Sequence, residues 1–124
     1  MVDRAAVLAA NIAFYQAFEE GSFDVMSDLW EHSDRASCTH PGWPTLRGWS
    51  RISASWVALL RSGAGNQFII TNEHVEVVGD TAWVTCDENL LGPSTGGTVA
   101  SVNMFVLSDG QWRVVVHHGS GIAS

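Results

Sequence analysis

Residues 98–118 read TVASVNMFVLSDGQWRVVVHH, two runs of β-prone side chains separated by Asp109-Gly110. An Asp-Gly pair between two such runs is a strong signal for a tight hairpin turn. The same arrangement occurs upstream, where Gln67 to Val78 and Thr81 to Leu91 meet at Gly79-Asp80. The second half of the chain is therefore predicted to form a four-stranded antiparallel meander.

The strand predicted after the longer turn at Gly92–Gly97 has apolar side chains on both faces. Val102, Met104 and Val106 lie on one face, and Val99, Phe105 and Leu107 lie on the other. Helices can cover only one face of a sheet, so the second face needs another covering surface. This pattern favours a homodimer formed through the outer sheet face.

The first third of the chain has helical periodicity instead. Apolar side chains recur at i, i+4 and i+7 from Leu8 through Ile12 to Tyr15, and Gly21 ends this segment. Ser22 is a suitable N-cap for a second, short helix. The sequence thus predicts two helices before the first strand.

A short strand and a third helix complete the first half. Small or apolar side chains alternate with polar ones from Arg35 to His40, which indicates a half-buried strand. The run from Pro41 to Pro44 must form an irregular loop, and helical spacing resumes at about Gly48. Helices followed by a meander predict an α+β fold, here with residues 1–124 as a single domain.

Composition excludes several classes of function. The 124 residues include six Trp and no Lys, and 6 Arg against 13 acidic residues give a net charge of −7. Without Lys the chain cannot hold a P-loop lysine, a Schiff-base lysine or a Ser-x-x-Lys acyl-transfer site. A strongly negative chain is also poorly suited to duplex nucleic acid, which requires clustered positive charge.

Cysteine content and hydropathy suggest a cytoplasmic protein. Cys38 and Cys86 are too few for a cysteine-rich zinc site, and their spacing indicates no disulfide framework. A reducing, cytoplasmic setting is therefore expected. No apolar run approaches the roughly 20 residues that a membrane-spanning helix needs, so no membrane partner is expected.

His40 is the first candidate for acid/base chemistry. It shares a strand face with Ala36 and Cys38 and leads directly into the loop that carries Trp43. An imidazole between an apolar face and a loop can have its pKa moved into a range useful for general acid/base catalysis. The alternative is a core histidine whose ring is satisfied by a backbone carbonyl.

Asp87 and Asn103 are polar residues on predicted strands. Counting every second residue from Trp83, a large apolar side chain expected to face inward, places Asp87 on the inner face. Its partner there would be His40, whereas at an exposed strand end Asp87 would simply be solvated. Asn103 shares a face with Phe105, and its amide could donate to a carbonyl oxygen or bond neighbouring side chains.

His117 and His118 are adjacent in one strand, so they point to opposite faces and at most one reaches the interior. Trp112 and Val114 share parity with His118, which favours His118, whereas a dimer interface would favour His117. The spacing of these histidines matches no metal-binding motif, so metal binding is the weaker alternative.

Several short segments occur in an order and at separations found in one superfamily. They are Ala17–Asp24, Cys38–Trp43, Leu46–Gly48, Gly79–Val84, Val102–Phe105 and Trp112–Ser120. With these segments the chain resembles the nuclear transport factor 2-like superfamily, and within it the SnoaL-like and ketosteroid isomerase-like proteins. The resemblance implies a cone-shaped barrel in which three N-terminal helices pack on a curved, mainly antiparallel sheet. It also implies an apolar pocket at the open end and a dimer through the outer sheet face.

Matching positions to the ketosteroid isomerases implies roles for three residues. His40 falls at their aspartate base, Asn103 at the aspartic acid that donates to the developing oxyanion, and Phe14 at the tyrosine donor. Phe14 has no hydroxyl, and preorganised donors are each worth roughly 10²–10³ in rate, so steroid isomerase activity is not expected. Tyr15 lies about 100° around the helix and is not expected to replace that tyrosine.

The resulting hypothesis is cofactor-independent acid/base catalysis on a small carbonyl compound, of the isomerase, cyclase or dehydratase type. His40 would transfer the proton, Asn103 would donate to the carbonyl oxygen, and Asp87 would orient the imidazole. The pocket would bind a small apolar or aromatic molecule through Phe14, Trp43, Trp56, Trp83, Phe105 and His118. No metal or other cofactor is required. The alternative is a non-catalytic module of the same fold that binds small ligands or associates with proteins.

Overall fold

Three helices form in the first half of the chain. A computed structural model describes residues 3–62, 67–91 and 97–123, with α1 at Arg4–Glu20, α2 at Phe23–Leu29 and α3 at Trp49–Ser62. Gly21 ends α1 in the left-handed conformation (φ 68°), which glycine adopts without strain. The Ser22 hydroxyl caps α2 by accepting from the Val25 amide at 3.3 Å. All three predicted helices are confirmed, and none of the described helices has the length and apolar character needed to cross a bilayer.

The described residues contain six strands, which form one open sheet. They are β1 Ser37–Thr39, β2 Leu46–Arg47, β3 Gln67–Val78, β4 Thr81–Leu91, β5 Gly97–Ser108 and β6 Gln111–Gly121, in the spatial order β2-β1-β6-β5-β4-β3. The β3 to β6 meander is antiparallel, whereas β1 runs parallel to β6. The α+β prediction is confirmed, with three helices on a mostly antiparallel sheet that is not closed.

Local turn chemistry explains the two hairpins. Asp109 and Gly110 both have positive φ, 52° and 77°, as a two-residue primed turn requires. Gly79 has a φ of 59° at the equivalent position of the β3–β4 hairpin. The connection from Gly92 to Gly96 lies outside the described residues. The strand β2 was not predicted, because its two residues are too few to show an alternation of polar and apolar side chains.

The inner face of β4 differs from the prediction. Ala82, Val84, Cys86 and Glu88 are buried in alternation. The predictions that Trp83 and Asp87 face inward are therefore wrong, because both have the opposite parity. Trp83 is only partly buried on the outer face, where its cross-strand neighbour is Met104.

A β-bulge reverses the predicted orientation of the paired histidines. Met104 pairs with Val116 and Phe105 pairs with Val114, so β6 carries one extra residue, Val115. Val114 and Val115 are both buried, and the parity changes between them. His117 consequently points inward and is 2% exposed. His118 is exposed on the outer face, so its predicted place in the interior is wrong.

Candidate functional site

A partly open cavity of about 160 Å³ lies between the helices and the inner face of the sheet. We call it the inner cavity; its walls are Phe18, His40, Pro41, Trp43, Leu59, Phe68, Glu88, Leu90, Val99 and His117. Three of these side chains are ionisable, and all three are buried: His40, Glu88 and His117. Ionisable groups on an otherwise apolar wall make this cavity the candidate functional site.

His40 follows the last residue of β1 and is held by α3. Its Nε2 lies 2.9 Å from the Ser55 hydroxyl, which itself donates to the Ile52 carbonyl at 2.7 Å. The single hydroxyl hydrogen of Ser55 is then used, so His40 Nε2–H donates to Ser55 and the lone pair of the ring is on Nδ1. Burial lowers the pKa of His40 to about 4, so the ring is neutral near neutral pH.

Apolar and aromatic groups surround the His40 ring. Trp43 and Trp56 pack against it edge-on, with ring centroids 5.0 and 4.8 Å away. The Cys38 thiol lies 3.6 Å from Nε2, and burial raises its pKa to about 12, so it remains a neutral thiol. Both environments disfavour the imidazolium form.

A directional hydrogen-bond chain begins at His117. Its Nδ1 lies 2.6 Å from Asn103 Oδ1, and Asn103 Nδ2 donates to Asn11 Oδ1 at 2.9 Å and to the Tyr15 hydroxyl at 3.1 Å. Because an amide oxygen can only accept, His117 Nδ1–H is the donor and the lone pair of the neutral ring is on Nε2. Burial lowers the pKa of His117 to about 3.

The chain ends at Glu88. The Tyr15 hydroxyl donates to Glu88 Oε2 at 2.5 Å, and the Ser101 hydroxyl donates to the same oxygen at 2.6 Å. Burial raises the pKa of Glu88, and these two hydrogen bonds partly oppose that shift. Burial, followed by the neighbouring Glu88 charge, also raises the pKa of Tyr15, so the phenol stays protonated. Glu88 and His117 are thus two cavity-lining groups connected through Asn103 and Tyr15.

The structure brings together some of the predicted site residues. His40 and Trp43 line the inner cavity. Phe14 and Trp56 are fully buried and pack against its histidines, with Phe14 5.0 Å from the His117 ring. Phe105 is a buried core residue. Asn103 is also fully buried with both amide hydrogens directed at protein acceptors, so it is not placed to donate to a carbonyl oxygen in the cavity.

Three predicted residues lie elsewhere. Asp87 and His118 line a groove of about 260 Å³ on the outer face of the sheet, and Trp83 lies on the same face. The expectation that Asp87 orients the His40 imidazole is therefore wrong, because β4 directs Asp87 away from the cavity. Ser55 occupies the position of the hydrogen-bond partner instead.

Sequence reasoning missed Glu88 and the role of Tyr15. Glu88 alternates with the apolar residues Ala82 and Val84, a pattern that could have identified it as an inward carboxyl. Tyr15 and Phe14 are both buried because α1 is covered by other elements over a wide arc. In the described part of the chain, no three His, Cys, Asp or Glu side chains are grouped as a metal site would need.

Comparisons with known proteins agree with this architecture. A putative dehydratase of the NTF2-like family from Streptomyces avermitilis is 38% identical, with a TM-score of 0.92 over 98% of this chain and 97% of that one. A putative calcium/calmodulin-dependent protein kinase type II association domain from Thiobacillus denitrificans is 28% identical, with a TM-score of 0.85 over 94% of both chains.

A longer plant protein contains a related segment. The F-box protein SKIP8 of Arabidopsis thaliana is 27% identical over 115 residues, which cover 93% of this chain and 49% of that protein. The chain therefore spans about half the length of this relative. The profile of the SnoaL-like domain matches residues 7–124. The chain belongs to the SnoaL-like domain family.

Proposed function

We propose that the inner cavity carries out cofactor-independent acid/base catalysis on a small, largely apolar carbonyl compound, as an isomerase, cyclase or dehydratase. The observation that carries this proposal is the placement of two neutral imidazoles, His40 and His117, on one aromatic-lined wall. Their ring centroids are 6.3 Å apart, so both can reach a ligand of modest size. A neutral imidazole is the form that accepts a proton.

The hydrogen bonds of the two rings leave the lone pair on a different nitrogen in each. His40 has its lone pair on Nδ1 and His117 has its lone pair on Nε2, so either can remove a proton from carbon. A positioned base contributes roughly 10²–10⁴ in rate. Because Asn103 does not donate into the cavity, the substrate must carry an already acidic C–H bond. The imidazolium formed in this step then returns the proton, to carbon in an isomerisation or to the leaving hydroxyl in a dehydration, and the ring ends neutral.

The size of the cavity limits the substrate. A cavity of about 150 Å³ in another protein holds a single benzene ring, and the inner cavity is about 160 Å³. A substrate with one ring therefore fits, whereas a four-ring steroid would extend outside. The name of the Streptomyces avermitilis relative, a putative dehydratase, supports a proton-transfer reaction of this class.

Isomerisation of cyclohex-3-enone to the conjugated cyclohex-2-enone tests the proposal with a one-ring substrate. Its progress is followed by ultraviolet absorbance, and the same reaction in D₂O shows exchange at carbon by NMR. His40→Ala should lower the rate at least about tenfold, given the contribution of a positioned base. His118→Ala, on the exposed outer face, is the matched control. A wild-type rate that survives both His40→Ala and His117→Ala would exclude this mechanism.

A non-catalytic module is the second candidate function. The observation that favours it is the name of the Thiobacillus denitrificans relative, a putative association domain with 28% identity. Such a module would bind one-ring compounds saturably without product formation or deuterium exchange. The two candidates are therefore separated by the same NMR experiment.

The outer face of the sheet supports a further proposal, a homodimer. Val102 is 37% exposed there, and Met104, Val106 and Trp83 are partly exposed beside it. An apolar sheet face of this kind is normally covered, and a second copy of the chain is the partner proposed. We also infer a cytoplasmic setting, which the two free, buried thiols of Cys38 and Cys86 support.

A further inference from the structure

Among the described residues that line the inner cavity, Glu88 is the one whose side chain can carry a charge near neutral pH, since both histidines are neutral. The chain has no Lys, and none of the described lining residues is an Arg. Glu88 is 4% exposed, yet its partners, Tyr15 and Ser101, are uncharged hydroxyls. A buried carboxylate normally has a cationic partner, so Glu88 lacks the group that would balance its charge.

The cavity is rich in hydrogen-bond acceptors. Most of the described donors around it already have protein acceptors: Tyr15 and Ser101 donate to Glu88, His40 to Ser55, His117 to Asn103, and Asn103 to Asn11 and Tyr15. The buried Trp56 indole N–H is the exception, because it has no acceptor. The His117 Nε2 lone pair and the Glu88 carboxyl remain, whereas the Cys38 thiol lies 3.9 Å from His40 Nδ1. A ligand that donates hydrogen bonds therefore matches this wall better than one that accepts them.

The two hydrogen bonds to Glu88 are unequally distributed. Both the Tyr15 and the Ser101 hydroxyls reach Oε2, at 2.5 and 2.6 Å. These distances are typical of O–H donors to an ionised carboxylate, about 2.5–2.7 Å. Oε1 is the oxygen left for a ligand in the cavity.

Aromatic rings supply a second attraction for a cation. Phe18, Phe68 and Trp43 line the same cavity, and the rings of Phe18 and Phe68 meet edge to face at 4.8 Å. Aromatic faces attract organic cations, most strongly where water is excluded. The net charge of −7 acts in the same direction over a longer range.

We propose that the inner cavity binds a ring-sized compound that carries a protonated amine, with the ammonium group against Glu88 Oε1 and the ring packed against Phe18, Phe68 and Trp43. The ammonium supplies the positive charge that the protein does not. The inference deepens the proposed function and rests on it for the choice of site. An ammonium group near a carbonyl also acidifies the adjacent C–H bond, which compensates for the missing oxyanion donor. Burial raises the pKa of Glu88, and a bound cation would remove that cost.

Three probes of equal ring size and different charge test the proposal: cyclohexylammonium, cyclohexanol and cyclohexanecarboxylate. Their binding to the whole chain is measured by isothermal titration calorimetry at neutral pH. We expect cyclohexylammonium to bind at least about tenfold more tightly than cyclohexanol, the order expected for a single added charge-assisted contact. Cyclohexanecarboxylate should show no saturable binding.

A matched pair of variants locates the charge. Glu88→Gln keeps an oxygen that accepts from Tyr15 and Ser101 but removes the negative charge. It should abolish the preference for cyclohexylammonium and leave the affinity for cyclohexanol nearly unchanged. Asp87→Asn makes the same change in net charge one residue away, on the opposite face of the sheet, and should retain the preference.

Each other outcome overturns the proposal. These are tighter binding of cyclohexanol or of the carboxylate, an equal loss of preference in both variants, or no binding of any probe. If Glu88→Gln fails to fold, the order of the three probes with the wild-type chain still decides. Binding is measured without turnover, so a cavity that prefers the amine but leaves cyclohex-3-enone unchanged contradicts only the catalytic proposal. Turnover of cyclohex-3-enone without a preference for cyclohexylammonium contradicts only the amine-binding proposal.

Discussion

The Nδ1 atom of His117 lies 2.6 Å from Oδ1 of Asn103, and this contact fixes the tautomer of a histidine that is buried within the core. Asn103 can accept from His117 because its amide hydrogens are held by Asn11 and Tyr15. The orientation of one amide thus decides which ring nitrogen carries the hydrogen and which keeps the lone pair. Residues that never touch the ligand can therefore control the base.

Asn103→Asp should convert His117 from a neutral ring to an imidazolium. A carboxylate at this position accepts from His117, and its charge favours the protonated ring. The pKa of His117, about 3 in the wild type, should rise by several units, and the rate of cyclohex-3-enone isomerisation should fall at neutral pH.

Titration of the His117 ring by NMR measures this change, with the His118 resonance as an internal reference. Asn103→Gln, which keeps an uncharged amide, is the matched variant and should leave the His117 ring neutral. A neutral His117 in Asn103→Asp at neutral pH would contradict the assigned contact.

The free energy of unfolding should fall steeply on the acid side. In the folded chain the pKa values of His40 and His117 are about 4 and about 3, below the ordinary histidine value of 6.5. Between the folded-state pKa values and 6.5, the unfolded chain therefore binds more protons than the folded chain. The two histidines contribute their full stabilisation above about pH 6.5, and this contribution is lost as the pH falls towards 4. Glu88 contributes with the opposite sign, because burial raises its pKa.

Denaturant unfolding at a series of pH values measures this loss. One pKa unit corresponds to about 1.4 kcal/mol, so the two histidines should remove several kcal/mol between about pH 7 and pH 4. His40→Gln should flatten the acid limb, and His118→Gln at the exposed position should not. An unfolding free energy that is constant over this range would contradict the neutral, buried state of both rings.

Most of the fold was predictable from the sequence because its signals are local. Asp109-Gly110 and Gly79-Asp80 define their hairpins without reference to the rest of the chain, and Gly21 with Ser22 separates the first two helices. The edge strand β2 was missed, since its two residues gain strand geometry only from pairing with β1.

The site was less predictable because it depends on strand parity. Asp87 and Glu88 are adjacent carboxylic acids, and the choice between them rested on Trp83, which lies on the outer face despite its size. The choice between His117 and His118 depended on the bulge at Val115. Both features are set by contacts between strands, so the order of residue types within one strand does not reveal them.

Gly119→Ala should destabilise the fold and disturb the inner cavity. A Cβ atom at Gly119 would lie 3.0 Å from Val99 Cγ1 and 3.3 Å from Pro41 Cγ, and both of these residues line the cavity. Overpacking of this kind costs roughly 1–3 kcal/mol. Gly121→Ala in the same strand is the control, since its Cβ would meet no heavy atom within 4 Å. Equal unfolding free energies for the two variants would contradict the close approach at Gly119.

Val102→Asp should dissociate the proposed homodimer. Val102 is exposed on the outer face of β5, between Thr85 of β4 and His118 of β6. In a dimer through this face the new carboxylate would be buried without a partner, at a cost of several kcal/mol, which weakens association at least about a hundredfold.

Light scattering coupled to size-exclusion chromatography at micromolar concentration should report twice the 13.4 kDa chain mass for the wild type and the single mass for the variant. Val78→Asp, 63% exposed at the end of β3, should remain dimeric. A monomeric wild type, or a dimeric Val102→Asp, would mean that the outer face is not the interface.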